Sequence, residues 1–229
     1  MDQNLLEFVE VNPRGNPLAT IIWLHGLGAD GHDFEPMVPE LNLPDSIPIR
    51  FVFPHAPFRP VTINGGMVMR AWFDVLSVDP DHKIDIQSFM ESSSYLQALV
   101  KNELLSGMPA EQIILAGFSQ GGAIVLHTGL RYEKKLGGIL ALSTYLPTLD
   151  QLTGKQNPAN SNIPIMMAHG TMDPMIPIAY GQSTHKRLSE LGYRIQWREY
   201  PMGHAVSPAE IRDISAWFLK ILSREHIKI

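Results

Sequence analysis

Short apolar segments alternate with segments of helical periodicity along the chain, and this alternation constrains the fold more than any other feature. Segments rich in β-branched residues predict strands at residues 18–24, 49–53, 113–116, 138–142, 163–168 and 194–200. Several of them are apolar almost throughout, which is typical of strands buried on both faces of a parallel sheet. Strands separated by helices therefore predict an α/β fold, with a mostly parallel central sheet and helices on both faces.

Helical spacing of apolar residues predicts helices over residues 89–105, 120–132 and 178–191. The last helix has the clearest start, because Ser207-Pro208-Ala209-Glu210 offers an N-cap, a proline at the first helical position and a capping-box glutamate. The opening segment, residues 5–11, is a candidate antiparallel edge strand. Residues 54–66 contain three prolines and two glycines and are interpreted as a long loop.

Length and composition exclude several classes of protein. A chain of 229 residues suits one α/β domain, so a single domain over residues 1–229 is expected, with no separate cap domain. Hydrophobic residues make up 45% of the chain and charged residues 18%, which excludes a disordered chain. The absence of cysteine excludes a disulfide scaffold, a thiolate metal site and a cysteine nucleophile. A net charge of −5 argues against nucleic acid as a partner.

Targeting signals give one further expectation. The first residues lack the basic and then apolar pattern of a signal peptide, and no apolar run approaches the roughly 18 residues of a spanning helix. A cytoplasmic location is therefore expected.

The pentapeptide Gly117-Phe118-Ser119-Gln120-Gly121 matches the G-x-S-x-G pattern of a nucleophile elbow. Its context strengthens the match, because it follows a predicted strand and precedes a predicted helix. The serine of such an elbow lies at a sharp, strained turn, so its neighbours must be small. Ser119 is therefore the candidate nucleophile.

A serine hydroxyl needs a base to take its proton and an acid to orient that base. In this type of fold the partners follow the serine in the order acid and then histidine. Four of the nine histidines precede Ser119, and most of the others lie within helices or near the C-terminus. His169 ends a predicted strand and is interpreted as a structural residue of its turn. His204, in the loop between the last strand and the last helix, is therefore the candidate base.

Asp173 is the candidate acid, because it follows the strand at residues 163–168 in a loop at the carboxyl end of the sheet. Asp150 is its main rival, since a loop aspartate is often only a turn former. The oxyanion needs two N–H donors, for which Gln120 and Leu27 are the candidates.

The loop that holds Leu27 also matches the dinucleotide-binding pattern G-x-G-x-x-G, between Gly26 and Gly31. That alternative lacks support at the next strand, which ends in Pro54-His55-Ala56 without an acidic residue for a ribose hydroxyl.

A set of motifs runs through almost the whole length: His25-Gly26-Leu27-Gly28, Phe53-Pro54-His55-Ala56-Pro57, Val61-Thr62-Ile63-Asn64-Gly65-Gly66, Arg70-Ala71-Trp72-Phe73-Asp74, Gly117-Phe118-Ser119-Gln120-Gly121-Gly122, Leu142-Ser143-Thr144-Tyr145-Leu146-Pro147, Asp173-Pro174-Met175-Ile176-Pro177 and Met202-Gly203-His204. Taken together, these motifs make the chain similar to the acyl-protein thioesterase and carboxylesterase family of α/β hydrolases. The resemblance implies the same triad and oxyanion donors as the reasoning from the residues. It also implies a lid segment, at about residues 60–79, over an acyl-binding groove near Trp72, Tyr145 and Met175.

Members of this family hydrolyse small carboxylic esters, lysophospholipids or palmitoyl thioesters on proteins without a metal or an organic cofactor, and many are homodimers. The resemblance therefore implies a serine hydrolase for esters or thioesters of apolar acyl chains. Met67, Val68 and Met69 of the lid segment suit a lipid chain and transient membrane contact. Two alternatives stay open: lysophospholipase as the main activity, and a non-catalytic protein that binds acyl chains.

Overall fold

The computed structural model describes residues 5–77 and 83–226, and the side chains up to residue 223. Its strands are β1 (Phe8–Val11), β2 (Ala19–Leu24), β3 (Ile49–Pro54), β4 (Phe58–Val61), β5 (Met67–Arg70), β6 (Ile113–Phe118), β7 (Gly138–Leu142), β8 (Ile165–Gly170) and β9 (Ile195–Tyr200). Seven of these strands form the central sheet in the order β1-β3-β2-β6-β7-β8-β9, and β4 pairs with β5 separately. All pairs of the central sheet are parallel except β1 with β3.

Four α-helices cover the sheet: α1 (Ile86–Leu105), α2 (Gln120–Arg131), α3 (Ile178–Glu190) and α4 (Pro208–His226). Alternate residues of each strand point to opposite faces, so the core divides into two clusters. Ile22 and Leu24 of β2 belong to the cluster that packs against α1, α2 and α3. Ile21 and Trp23 belong to the other cluster, which packs against α4 and the 3₁₀ turns near residues 35–41. The prediction of a mostly parallel sheet with helices on both faces is confirmed.

Element boundaries differ from the predictions by a few residues, with a local cause in each informative case. Helix α1 begins three residues earlier than predicted, because the Asp85 carboxylate caps it by accepting the Ser88 N–H at 2.9 Å. The predicted start of α4 is confirmed, since Ser207 Oγ accepts the Glu210 N–H at 3.2 Å. The candidate edge strand is β1, which is antiparallel to β3. No helix in the described part of the chain is long and apolar enough to cross a membrane.

The interpretation of residues 54–66 as a loop is wrong in part, because β4 and β5 form a two-stranded hairpin over residues 58–70. The two strands pair in register from Phe58 with Arg70 to Val61 with Met67. A two-stranded ribbon has only edge strands, so it tolerates Pro60, which a central strand would not. Gly65 and Gly66 turn the chain with φ of 65° and 79°. The lid segment inferred for residues 60–79 therefore includes most of this hairpin, while its residues 78 and 79 lie outside the described residues.

Candidate active site

Ser119 lies at the turn between β6 and α2, with the strained backbone that a nucleophile elbow requires. Its φ of 54° and ψ of −120° are rare for a residue with a side chain. The turn is possible only because its neighbours are small: a Cβ at Gly121 would lie 2.4 Å from the carbonyl oxygen of Leu24. A hydrogen bond from Ser119 N to Leu142 O, 2.9 Å long, fixes the turn against β7.

His204 bridges the other two predicted catalytic residues. Its Nε2 lies 3.0 Å from Ser119 Oγ, and its Nδ1 lies 2.7 Å from Asp173 Oδ2. The Asp173 side chain is fully buried and that of His204 is 18% exposed. The carboxylate accepts the Nδ1–H, so Nε2 of the neutral ring is free to accept the serine proton.

The other oxygen of Asp173 is held by its own loop, which follows β8. Oδ1 accepts the backbone N–H groups of Met175 and Ile176, both at 2.9 Å. The rival acid, Asp150, lies in a 3₁₀ turn, whereas His204 Nδ1 contacts Asp173. Two backbone N–H groups and the His204 imidazole therefore hold the Asp173 carboxylate in place.

The side chain of His25 stabilises the predicted oxyanion loop, residues 25–28, of which it is the first residue. The Ala56 N–H donates to Nε2 of this histidine at 3.0 Å, so the proton of the neutral ring is on Nδ1, which donates to Gly26 O at 2.7 Å. Burial lowers the pKa of His25 to about 4, and the ring therefore stays neutral at physiological pH. Gly28 N donates to Arg70 O at 2.9 Å, which ties this loop to the end of the hairpin.

Gln120 connects the elbow with the chain that leaves the hairpin. Its side-chain amide accepts from Trp72 N at 3.0 Å and donates to Phe73 O at 2.9 Å. With the side chain held there, the backbone of Gln120 stays beside Ser119 at the start of α2, where the helix N-terminus favours negative charge. Leu27 and Gln120 both line the same cavity as Ser119.

A cavity of about 420 Å³ opens at Ser119 and His204, which is within the usual size range of a small-ligand site. Much of its wall is apolar: Ile63, Met69, Phe73, Val75, Phe118, Ala123, Met175 and Ile176. Tyr145 also lines it, so two of the three residues expected near an acyl groove, Tyr145 and Met175, are in the wall.

Trp72 departs from the expectation, because it does not line the cavity. Its side chain is 1% exposed and its indole N–H donates to His25 O at 2.8 Å. This bond turns the ring into the core beneath the oxyanion loop, and the next residue, Phe73, lines the cavity instead.

A second depression, of about 380 Å³, adjoins the cavity. The two share Asp33, Phe118 and His204 in their walls. His204 therefore lines two depressions, the first of which is mostly apolar.

Comparisons with known proteins agree with this geometry. The protein family described as phospholipase/carboxylesterase matches residues 6–223. The chain is 39% identical to acyl-protein thioesterase 1 of Gibberella zeae, over 89% of this chain and 91% of that protein. It is 34% identical to acyl-protein thioesterase 1 of Cryptococcus neoformans, over 95% and 98% of the two chains.

Solved structures give the same result. The crystal structure of Arabidopsis thaliana SOBER1 superposes with a TM-score of 0.84 at 34% identity, over 89% of this chain and 99% of that one. Zea mays acyl-protein thioesterase 2 superposes with a TM-score of 0.82 at 30% identity, over 94% and 99%. The chain therefore belongs to the phospholipase/carboxylesterase family, with the α/β-hydrolase fold, and is a hydrolase of ester or thioester bonds.

Proposed function

We propose that the chain hydrolyses esters or thioesters of apolar acyl chains through a Ser119-His204-Asp173 triad. The observation that carries this proposal is the position of His204, whose two ring nitrogens lie 3.0 Å from Ser119 Oγ and 2.7 Å from Asp173 Oδ2. A base in contact with both groups can take the serine proton while the carboxylate holds its tautomer and stabilises the imidazolium.

The reaction proceeds in two halves. Ser119 Oγ attacks the carbonyl carbon as its proton passes to His204 Nε2, and the backbone N–H groups of Leu27 and Gln120 stabilise the oxyanion. His204 then protonates the departing alkoxide or thiolate, which leaves an acyl-enzyme. In the second half His204 takes a proton from water as the water oxygen attacks the acyl carbon. The bond between that carbon and Ser119 Oγ then breaks, His204 returns the proton to Oγ, and the carboxylic acid leaves. Neither half requires a metal or an organic cofactor.

The substrate class is proposed from the cavity wall and the relatives. Apolar side chains such as Phe73, Val75 and Ile176 suit an acyl chain, whose burial is favourable by about 0.8 kcal/mol per methylene. The leaving group must face Nε2 of His204, and we propose that the second depression, which His204 also lines, receives it. Two relatives are acyl-protein thioesterases, so we propose acylated cysteine in proteins as a substrate and lysophospholipid as the alternative.

Membrane contact through the hairpin is a further part of the proposal. Phe58, Met67 and Val68 expose 63–65% of their surface, although all three are apolar. Exposed apolar groups beside the entrance of an acyl site would let the protein rest on a lipid surface while it takes up a chain. The homodimer, the cytoplasmic location and the single-domain organisation are proposed from the sequence and the resemblance alone.

A substrate panel tests the function. p-Nitrophenyl esters with acyl chains of 2 to 16 carbons, a lysophospholipid and a palmitoyl-cysteine peptide are compared by kcat/KM. We expect kcat/KM to rise with chain length until the cavity is filled, and we expect hydrolysis of the peptide thioester. Acyl-chain binding without turnover of any of these compounds would favour the non-catalytic alternative. Turnover of the lysophospholipid alone would favour the lysophospholipase.

A further inference from the structure

His169, the last residue but one of β8, lies against Asp173 beside the contact with His204. Its Nε2 is 2.8 Å from Ile176 O and 3.5 Å from Asp173 Oδ2. The side chain is fully buried, and the proposed reaction does not use it. Asp173 therefore has two histidines beside it, one that contacts Ser119 and one that does not.

The proton of the His169 ring is on Nε2, because both neighbours of that atom are acceptors. Nδ1 then carries only a lone pair, and it has no hydrogen-bond partner among the residues that the structure describes. It faces Gly181 of α3, where a Cβ would lie 2.5 Å away. Burial lowers the pKa of His169 despite the nearby carboxylates of Asp173 and Glu199, so the ring is neutral and contributes a dipole rather than a charge.

Ile176 connects His169 with the catalytic acid. Its carbonyl accepts from His169 Nε2, and its N–H donates to Asp173 Oδ1 at 2.9 Å. Oδ1 and the plane of the carboxylate are thus fixed through a backbone segment that the buried imidazole holds. Oδ2, the oxygen that faces His204, lies 3.5 Å from His169 Nε2.

We propose that His169 is a positioning residue for catalysis, whose Nε2–H holds the 173–176 segment so that Asp173 Oδ2 stays aimed at His204 Nδ1. This inference deepens the proposed function and rests on it. A neutral donor suits the task, because a cation on this side of Asp173 would compete with the imidazolium that forms on His204. A role in packing alone does not account for the ring, because a buried acceptor without a partner costs stability and an apolar side chain would avoid that cost.

Two amide substitutions separate these roles. In His169→Gln the side-chain amide reaches the place of Nε2 and can donate to Ile176 O. In His169→Asn the shorter amide reaches only the place of Nδ1, which faces Gly181. We expect His169→Asn to lower kcat about 10- to 100-fold with little change in KM, because small displacements of a catalytic group cost rates of that order. His169→Gln is expected to recover most of that loss.

The pH profile of kcat/KM provides a readout that would not change if His169 had only a packing role. In the wild type, kcat/KM is expected to have an acid limb, because a protonated imidazole cannot act as a base. In His169→Asn the acid limb moves to lower pH, because a misaligned Asp173 stabilises the imidazolium less, and in His169→Gln it stays near the wild-type position. Gly181→Ala places a methyl group against His169 Nδ1 and keeps the Nε2–H donor. It is expected to lower kcat, as His169→Asn does.

His127→Asn is the matched control, because His127 is another buried histidine and its Nδ1 bonds Thr148 Oγ1 at 2.8 Å outside the active site. It is expected to alter the melting temperature without moving the acid limb. The proton NMR signal of His204 Nδ1–H gives a readout independent of turnover, and it should weaken in His169→Asn but not in His169→Gln. The proposal would be overturned if the two His169 variants had the same kcat, the same acid limb of the pH profile and the same His204 Nδ1–H signal. Absence of turnover in the wild type would instead overturn the proposed function, and the NMR comparison would still decide the role of His169.

Discussion

The catalytic centre and the hairpin contribute residues to the wall of one cavity, and they are held in different ways. Ser119, Asp173 and His204 follow three parallel strands and are fixed by backbone hydrogen bonds and buried contacts. The hairpin is a separate two-stranded sheet that exposes Met67 and Val68, and a hydrogen bond from Gly28 N to Arg70 O connects its end to the oxyanion loop. The catalytic residues therefore belong to the more constrained part of the molecule. The hairpin surface proposed to contact an acyl chain is exposed, and substitutions there are expected to change specificity at little cost to stability.

The largest effect is expected from the nucleophile. Ser119→Ala removes the attacking oxygen, so kcat should fall by roughly 10⁴- to 10⁶-fold. The melting temperature should stay close to that of the wild type, since the alanine keeps the Cβ of the elbow. Steady-state hydrolysis of a p-nitrophenyl ester and a thermal melt provide the two readouts. Near-wild-type turnover would contradict the assignment of the nucleophile.

Asp173→Asn is expected to lower kcat by about 10⁴-fold, because an amide allows His204 to adopt the wrong tautomer. KM should change little, since Asp173 is buried behind the histidine and away from substrate. The kinetic constants are compared with those of Asp150→Asn, the matched variant of the rival acid. A larger loss in Asp150→Asn than in Asp173→Asn would reverse the assignment.

Gly121→Ala tests how rigid the elbow is. Its Cβ would lie 2.4 Å from Leu24 O and 2.7 Å from His25 O, which are backbone atoms that cannot move aside. A loss of about 3 kcal/mol in the free energy of unfolding is expected, at the upper end for overpacked sites. Gly129→Ala, in the same helix, is the control, because its Cβ would meet side-chain atoms of Ile139, at 2.6 and 2.9 Å, rather than backbone atoms. Denaturant unfolding that gave equal losses for both variants would contradict this picture.

The smallest effect is expected at the hairpin. The double variant Met67→Gln with Val68→Thr should leave the unfolding free energy within about 0.5 kcal/mol, as for other exposed sites. It should leave turnover of short soluble esters unchanged and weaken binding to lipid vesicles about tenfold, in line with the lost apolar area. Leu105→Gln is the control, because Leu105 is 77% exposed but lies at the far end of α1. Equal vesicle binding by both variants would remove the hairpin from the proposal.

The sequence predicts the more constrained part well because strict local rules govern it. A serine between glycines, directly after a strand and before a helix, predicts a sharp turn. The acid and the base follow at the ends of later strands. The fold class, the sheet and the start of α4 follow from similar local patterns. The position of His204 between Ser119 and Asp173 agrees with the same reasoning.

Other features of the molecule are predicted less well, because they depend on tertiary contacts. The prolines and glycines of residues 54–66 indicate a loop, while pairing with residues 67–70 makes a hairpin. Trp72 is buried rather than exposed to the cavity because of one hydrogen bond to His25, which periodicity does not reveal. The contact of His169 with Asp173 is equally hidden, although His169 lies near the end of the strand that Asp173 follows and that proximity is the one available signal.

Labelling by a fluorophosphonate tests the central claim most directly, because only an activated serine attacks the phosphorus at an appreciable rate. The wild-type chain is incubated with the probe, digested and examined by mass spectrometry, with Ser119→Ala as the control. A single adduct on Ser119, slower in Asp173→Asn and absent in Ser119→Ala, is the expected result. An unlabelled wild-type chain, or an adduct on another serine that persists in Ser119→Ala, would contradict the account.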